Sequence, residues 1–512
     1  MGQASNLQFN NKLINYRPVF FCALFFIAGL IASALFFTNK IAFFIALVAI
    51  LCFGVVIYMF DKKLPFFLFL VFSVGFGLFI YNTTIVEVQE IAGDTAIQGR
   101  VYDTYEGRND KKYSVLLKDI AYVGALAGDE DRNIIVYTDF EVKVGDIVEF
   151  TGYLEAFKYD PFDSFSMSHY YSQVNYTFET AEISGQKIIR ESSLTPYEAL
   201  FEKIKNSFIS TMGEQAGEIA TSLVFGYRQT FETFQNEAII NNKLATVFSL
   251  SGLHFAFIAI GIFYLCRLFR INRSISLIIP FVILLIYGCM TKFPPALYRI
   301  LIAQIIVIIG NLRYKKSDPL ILWGIVVIVS LIIQPLSIFE IGFQIAALSM
   351  LGVVTYGSFI KKLFGRSKNP LLQTTAYITS TSVSSNLFAG AAYINTFGSF
   401  GVYLTLGAII VIPFVSLTYF LLMGATIISI TFPFMQFLLK PFKLLVLGLG
   451  QMSTTLENMT FATIEPNSLA IYGVIYVLTM FLMSKYILVR PKYKIRILVT
   501  SLVLTVVLML ST

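Results

Sequence analysis

The sequence predicts a polytopic α-helical membrane protein of roughly 11–12 spans, with a small extracytoplasmic β-barrel domain inserted after the third span. Three observations predict it. Hydrophobic residues fill 56% of the 512 positions and charged residues only 13%, where soluble chains are nearer a quarter charged. Apolar runs of about 17–25 residues recur, each long enough to cross ~30 Å of hydrocarbon. One polar stretch, from Tyr81 to Glu202, interrupts the series and carries about twice as many acids as bases.

The chain divides into four parts. Residues 1–81 hold three apolar runs, Pro18–Phe37, Ile41–Met59 and Leu64–Tyr81. The first is too long for a signal peptide and is followed at once by the second, so it reads as an uncleaved anchor. Lys12, Arg17, Lys62 and Lys63 fall on the cytoplasmic side by the positive-inside rule, which puts the insert outside. In residues 82–192, segments such as Thr95–Tyr102, Tyr113–Ile120, Asn133–Thr138 and Ile147–Leu154 alternate or are β-branched, with a turn at Val144-Gly145-Asp146. Short strands with turn signals between them predict a small barrel, and about five strands in about 100 residues fit an OB-fold. Its acidic balance favours a structural role over a DNA groove, although Lys111, Lys112 and Lys118 form a local basic patch.

Residues 193–240 open with Thr195-Pro196-Tyr197-Glu198. Threonine caps, proline fits the first turn and glutamate three residues on closes a capping box. Leu200, Phe201, Ile204, Phe208 and Ile209 then share one helical face, which predicts an amphipathic helix lying at the membrane interface. In residues 241–512 the spans are placed at 245–266, 275–291, 294–312, 319–334, 340–360, 372–392 and 401–424, with two more near 467–486 and 496–511. Basic clusters fall in alternate loops: Arg267, Arg270 and Arg273; Arg313, Lys315 and Lys316; Lys361, Lys362, Arg366 and Lys368. From Ala238 onward about twenty Lys and Arg stand against four acids, Asp318, Glu340, Glu457 and Glu465. The segment from Ala425 to Glu465 has Lys440 and Lys443 inside apolar sequence and reads as interfacial or re-entrant.

The candidate site consists of polar residues inside these runs. Lipid offers them no hydrogen-bond partners, so they face protein, water or a passing substrate. They are His254 and Ser251 where the first of the later spans begins, Arg299 one turn into another, Gln344 with Glu340 as the possible charge partner of Arg299, and Ser385 and Asn386 within the polar run Ser380–Asn386. Each has a plain alternative: a helix–helix hydrogen bond for His254, Gln344 and the serines, snorkelling to the interface for Arg299. Four cysteines, all in or beside apolar runs, and two histidines, His169 and His254, give no metal-ligand spacing. No cofactor is expected. No glycine-rich loop followed by Lys-Ser or Lys-Thr is present, so nothing reads as a nucleotide motor.

Several of these stretches carry a resemblance. Phe248-Ser-Leu-Ser-Gly-Leu-His254 resembles the serine-glycine-leucine-histidine signature of the ComEC-type competence family, with Lys243 and Thr246 where that family has a glycine and an earlier histidine. Gly226-Tyr227-Arg228, Phe293–Arg299, Glu340–Gln344, Phe397-Gly398 and Ile412-Pro413 follow in family order, and Val148–Leu154, Asp160-Pro161 and Phe165–Tyr171 resemble the end of its OB-like domain. The resemblance implies a bacterial cytoplasmic-membrane channel that brings single-stranded DNA inward during natural transformation. It implies contacts with DNA and membrane lipids, a separate DNA receptor, a cytoplasmic motor or helicase, and possible homo-oligomers. It also implies a form without the metallo-β-lactamase-like domain of many members, hence no nuclease. The reading from another class is a permease or lipid-handling protein whose polar residues bind a small substrate.

Overall fold

The structure is a computed structural model. It describes residues 17–38, 40–58, 64–81, 93–106, 113–123, 129–130, 133–156, 174–180, 187–190, 195–225, 252–291, 293–313, 318–363, 400–448 and 463–464, with parts of 373–392 and 477–500. Three helices come first: α1 (Pro18–Thr38), α2 (Lys40–Tyr58) and α3 (Leu64–Ile80). They are apolar all round, as a span against lipid or protein must be. α1 packs along α3 so closely that a Cβ added at Gly29 would fall on the carbonyl oxygen of Phe72. Small residues at such a crossing replace the hydrophobic drive that lipid cannot supply.

The insert folds as strands β1 (Gly93–Glu106), β2 (Tyr113–Val123), β3 (Asp129–Glu130), β4 (Asn133–Thr138), β5 (Ile147–Ala156), β6 (Val174–Thr180) and β7 (Lys187–Arg190). The order β1-β2-β4-β6-β5 closes on itself through a β1–β5 ladder, giving a five-stranded barrel. All its ladders are antiparallel except β4–β6. The alternation read from sequence sets the interior: Val115 and Leu117, Ile134 and Val136, and Val148, Phe150 and Leu154 fill it, because strand residues two apart share a face. Val144-Gly145-Asp146 makes the expected turn, with Gly145 at φ 93° and the buried Asp146 accepting from the Lys143 N–H at 2.9 Å.

Helices α4 (Pro196–Met212) and α5 (Glu214–Phe225) follow. The Thr195–Glu198 capping box forms as the sequence predicts. Glu198 also accepts from Arg100 of β1 at 3.0 Å, which ties the barrel to α4. The apolar face of α4 is covered by protein: Ile204, Phe208 and Met212 are buried in one cluster with Leu284, Tyr287, Leu439 and Val446. The later helices are α6 (Gly252–Leu268), α7 (Arg273–Met290), α8 (Pro295–Leu312), α9 (Pro319–Ile333), α10 (Ile341–Leu363) and α11 (Val402–Thr431), with 3-10 turns at Pro335–Phe339 and Pro433–Leu439 and a short β8–β9 ladder (Phe400–Gly401 with Thr463–Ile464). Among the described residues, four helices (α1, α7, α8 and α10) are long and apolar enough to cross a membrane. The shorter apolar helices include α3, α9 and parts of α6 and α11.

Side-chain contacts fix which helix ends lie together. Arg17, ahead of α1, pairs with Asp318, the N-cap of α9, at 2.9 Å. Asn311 near the end of α8 donates to Ser274 at the start of α7 at 3.1 Å. At the other end, Phe79 of α3 meets Phe339 between α9 and α10, and Phe255 of α6 meets Tyr287 late in α7. The starts of α6, α8 and α10 therefore share one end of the bundle with the last turns of α3, α7 and α9. Arg267, Arg273 and Arg313 sit at the opposite end with Arg17.

Asp318 carries a testable consequence. Burial pushes its carboxyl up, but the Arg17 hydrogen bond and the N–H groups of Leu320 and Ile321 outweigh this and hold it below the usual carboxylate range. A depressed carboxyl stabilises the fold above its unfolded value of about 3.9, and that contribution is lost as pH falls through the lower folded value. Thermal unfolding in detergent from pH 6 to pH 3 should show a flatter acid limb for Asp318→Asn than for wild type. At neutral pH the half-exposed pair is worth no more than about 1 kcal/mol.

A second consequence concerns Tyr287. Its hydroxyl donates to the carbonyl of Val224 at the end of α5 and lies 3.2 Å from the Tyr419 hydroxyl of α11, all buried. Tyr287→Phe takes this donor away from the buried Val224 carbonyl, which costs about 1–3 kcal/mol. Thermal unfolding of Tyr287→Phe against wild type should show this loss, and an unchanged unfolding temperature would contradict it.

Candidate functional site

Arg299 anchors the site. It lies in the second turn of α8, whose start is fixed by Pro294-Pro295. Leu297 seats this turn against Gly288 of α7, where a Cβ would come within 2.7 Å of the Leu297 side chain. The Arg299 guanidinium stands over the ring of Phe343 in α10, 5.5 Å from its centroid, within reach of a cation–π attraction of about 0.5–1 kcal/mol or more. A small, shallow cleft opens beside it. Tyr298 and Arg299 line it from α8, Ser330 and Gln334 from the end of α9, and Ser337 and Phe343 from the turn and helix that follow. A single break in the apolar sequence makes this possible: Gln334-Pro335 ends α9, the 3-10 turn reverses the chain and Glu340 precedes α10.

Other expected site residues fall into three groups. Gln344 is close by, but its amide donates to the Ile338 carbonyl at 2.9 Å, so it braces the 3-10 turn. Glu340 lies at the start of α10 with its carboxylate over Gly342, where an added Cβ would be 3.2 Å from Oε1; a helix N-terminus favours that charge. His254 is in the first turn of α6, at the same end of the bundle as Arg299. The polar run of residues 380–386 is helical where described. Ser380 and Ser384 are buried, Ser384 donates back to the Ser380 carbonyl, and the Ser384 backbone presses on Gly352 of α10. These two serines serve helix packing; Ser385 beside them is half-buried. Ser251, Asn386, His169, Gly226–Arg228 and Phe397-Gly398 lie outside the described residues, as does the side chain of His254.

Sequence reasoning missed Tyr298, Ser330, Ser337 and Phe343 as neighbours of Arg299. Ser330 did leave a signal, as the lone hydroxyl in the apolar run Pro319–Ile333. Among the described residues no cluster of three or more His, Cys, Asp or Glu could hold a metal ion.

The fold and the site together are compatible with an integral membrane protein that carries a barrel domain and gathers polar groups, a guanidinium among them, at one end of its helices. The family model described as "Competence protein" matches residues 223–491. The chain belongs to that family, of ComEC/Rec2-like competence proteins. Membership implies a channel-like role in DNA uptake for transformation, with DNA as the substrate. No curated protein and no solved structure matches the chain.

Proposed function

We propose that the protein is the channel through which single-stranded DNA crosses the bacterial cytoplasmic membrane during natural transformation. The observation that carries this is the cleft beside Arg299, at the bundle end away from Arg267, Arg273 and Arg313, in a chain of the competence family. By the positive-inside rule the end with those arginines faces the cytoplasm. Arg299 and His254 then stand at the outer mouth, where an incoming strand arrives, and the barrel lies on the same side. A guanidinium matches phosphate oxygens with parallel N–H donors. The strand order β1-β2-β4-β6-β5, with its one parallel pair, supports an OB-like barrel.

Ser251, His254, Arg299, Gln344, Ser385 and Asn386 border the path in this reading, with Glu340 as the charge partner of Arg299. The role is transport, not catalysis. The force comes from a cytoplasmic motor or helicase and the strand from a separate receptor, with lipids around the spans and self-association possible for a channel. The test is uptake of labelled DNA by cells lacking the gene. The proposal expects DNA to accumulate outside the cytoplasmic membrane and none to reach the cytoplasm. Unchanged arrival in the cytoplasm overturns it.

A further inference from the structure

We propose that the chain from Phe432 to Leu444 binds an anionic phospholipid, with its phosphate held by Lys440 and Lys443, at the bundle end that carries Arg299. This segment has two faces. On one, Leu439 is buried with Val446, in the cluster that includes Phe208 and Met212 of α4 and Tyr287 and Leu297 of α7 and α8. On the other, Phe434, Phe437 and Leu444 are 58–78% exposed. The 3-10 turn Pro433–Leu439 has seven residues, about 14 Å at ~2 Å each. That is under half of the ~30 Å hydrocarbon core. The turn therefore cannot cross the membrane, and its exposed rings lie in the interface, at the boundary of headgroups and acyl chains.

The lysines define the ligand. Both are exposed and stand one turn apart, the Lys443 N–H donating to the Lys440 carbonyl at 3.2 Å. Among the described residues neither forms an ion pair, and the sequence holds no Asp or Glu from Ile341 to Leu456. The Lys443 ammonium lies at the corner between α4 and α5, 3.7 Å from where a Cβ at Gly213 would stand. The positive-inside rule accounts for Arg267, Arg273 and Arg313 at the opposite end. It gives no reason for two lysines at this one. Lysines beside rings sunk in the interface reach back to the headgroup phosphates. Two such cations attract a lipid of net negative charge and repel the amine of a zwitterionic one. Phe434, Phe437 and Leu444 take acyl chains beside that phosphate, which selects a phospholipid over a DNA strand. The same segment supports α4, and α4 holds the barrel through Glu198 and Arg100. A bound lipid thus braces the joint between barrel and spans.

The test reads lipid at the site itself. A photo-cross-linking amino acid replaces Leu444 in the full-length protein, and separately Val282, an exposed residue in the middle of α7. Each protein is reconstituted in vesicles of phosphatidylglycerol and phosphatidylcholine in equal amounts and irradiated, and its lipid adducts are identified by mass spectrometry. The proposal expects phosphatidylglycerol adducts to exceed phosphatidylcholine adducts by about thirtyfold at position 444 at low salt, and to match them at position 282. Lys440→Gln with Lys443→Gln abolishes the excess at 444 and leaves the adducts at 282 unchanged. Lys440→Arg with Lys443→Arg keeps the excess. Equal adducts of the two lipids at 444 with both lysines present would show an apolar wedge only and overturn the proposal. An excess that survives the glutamine substitutions overturns it too, as do oligonucleotide adducts at 444 in place of lipid when single-stranded DNA is added. If the glutamine substitutions also remove the adducts at 282, the lysines hold the fold and not a lipid, and the proposal falls.

Discussion

Arg299→Ala should block passage of DNA into the cytoplasm while leaving DNA bound outside the membrane. The residue sits in the second turn of α8 at the end away from Arg267, Arg273 and Arg313. It lines the cleft that Ser330, Gln334 and Ser337 share. Placing an arginine inside a span costs on the order of 2.5–3.5 kcal/mol on insertion scales, so the alanine variant inserts at least as well as wild type, and lost uptake cannot come from failed insertion. Loss of one phosphate contact should cut uptake by about tenfold or more and lower the salt slope of strand binding by about one. Arg299→Lys keeps the charge but not the planar fork or its seat on Phe343, and should restore only part of the rate. Unchanged uptake with Arg299→Ala removes this residue from the path. Uptake and protein level falling in parallel would show a structural residue instead.

Phe208→Ala should destabilise the protein by about 3–5 kcal/mol. Phe208 is fully buried, in a cluster that joins α4 to α7 and to the segment around Leu439 and Val446. Had α4 laid its apolar face in lipid, truncation would leave lipid to fill the gap at little cost. The size of the effect therefore separates a helix packed on the bundle from one floating at the interface. It matters for function because Glu198, at the other end of α4, holds Arg100 of the barrel. A loosened α4 loosens the joint between barrel and spans. Thermal unfolding of Phe208→Ala against the exposed control Tyr197→Ala reads this directly. Equal unfolding temperatures for the two variants would contradict a packed α4.

Much of the fold was legible in the sequence, for stated reasons. α9 starts where Asp318 can cap and Pro319 can open a helix, and ends at Gln334-Pro335. α8 and α4 begin at prolines in the same way. Barrel strands follow from two-residue alternation, and the turn at Gly145 from a residue that tolerates positive φ. The partners of those elements were not legible. Arg17 reads as a topology signal, and only the folded chain shows it bound to Asp318, about 300 residues on. Ser380–Asn386 reads as facing either a bundle interior or an aqueous path, and only the folded chain shows Ser380 and Ser384 turned to protein, where Gly352 lets their helix approach α10. Arg299 stood out because charge in an apolar run is expensive. Ser330 is a single hydroxyl, cheap in any helix, and only the folded chain shows it beside Arg299.

The most direct test of the central claim places a photo-cross-linking amino acid at Gln334, in the cleft, and separately at Ile309, half-exposed on the outer face of α8. Living cells are irradiated while labelled DNA is crossing. The account predicts DNA adducts at Gln334 and none at Ile309. Adducts at neither site while DNA reaches the cytoplasm, or equal adducts at both, would contradict a path that runs past Arg299.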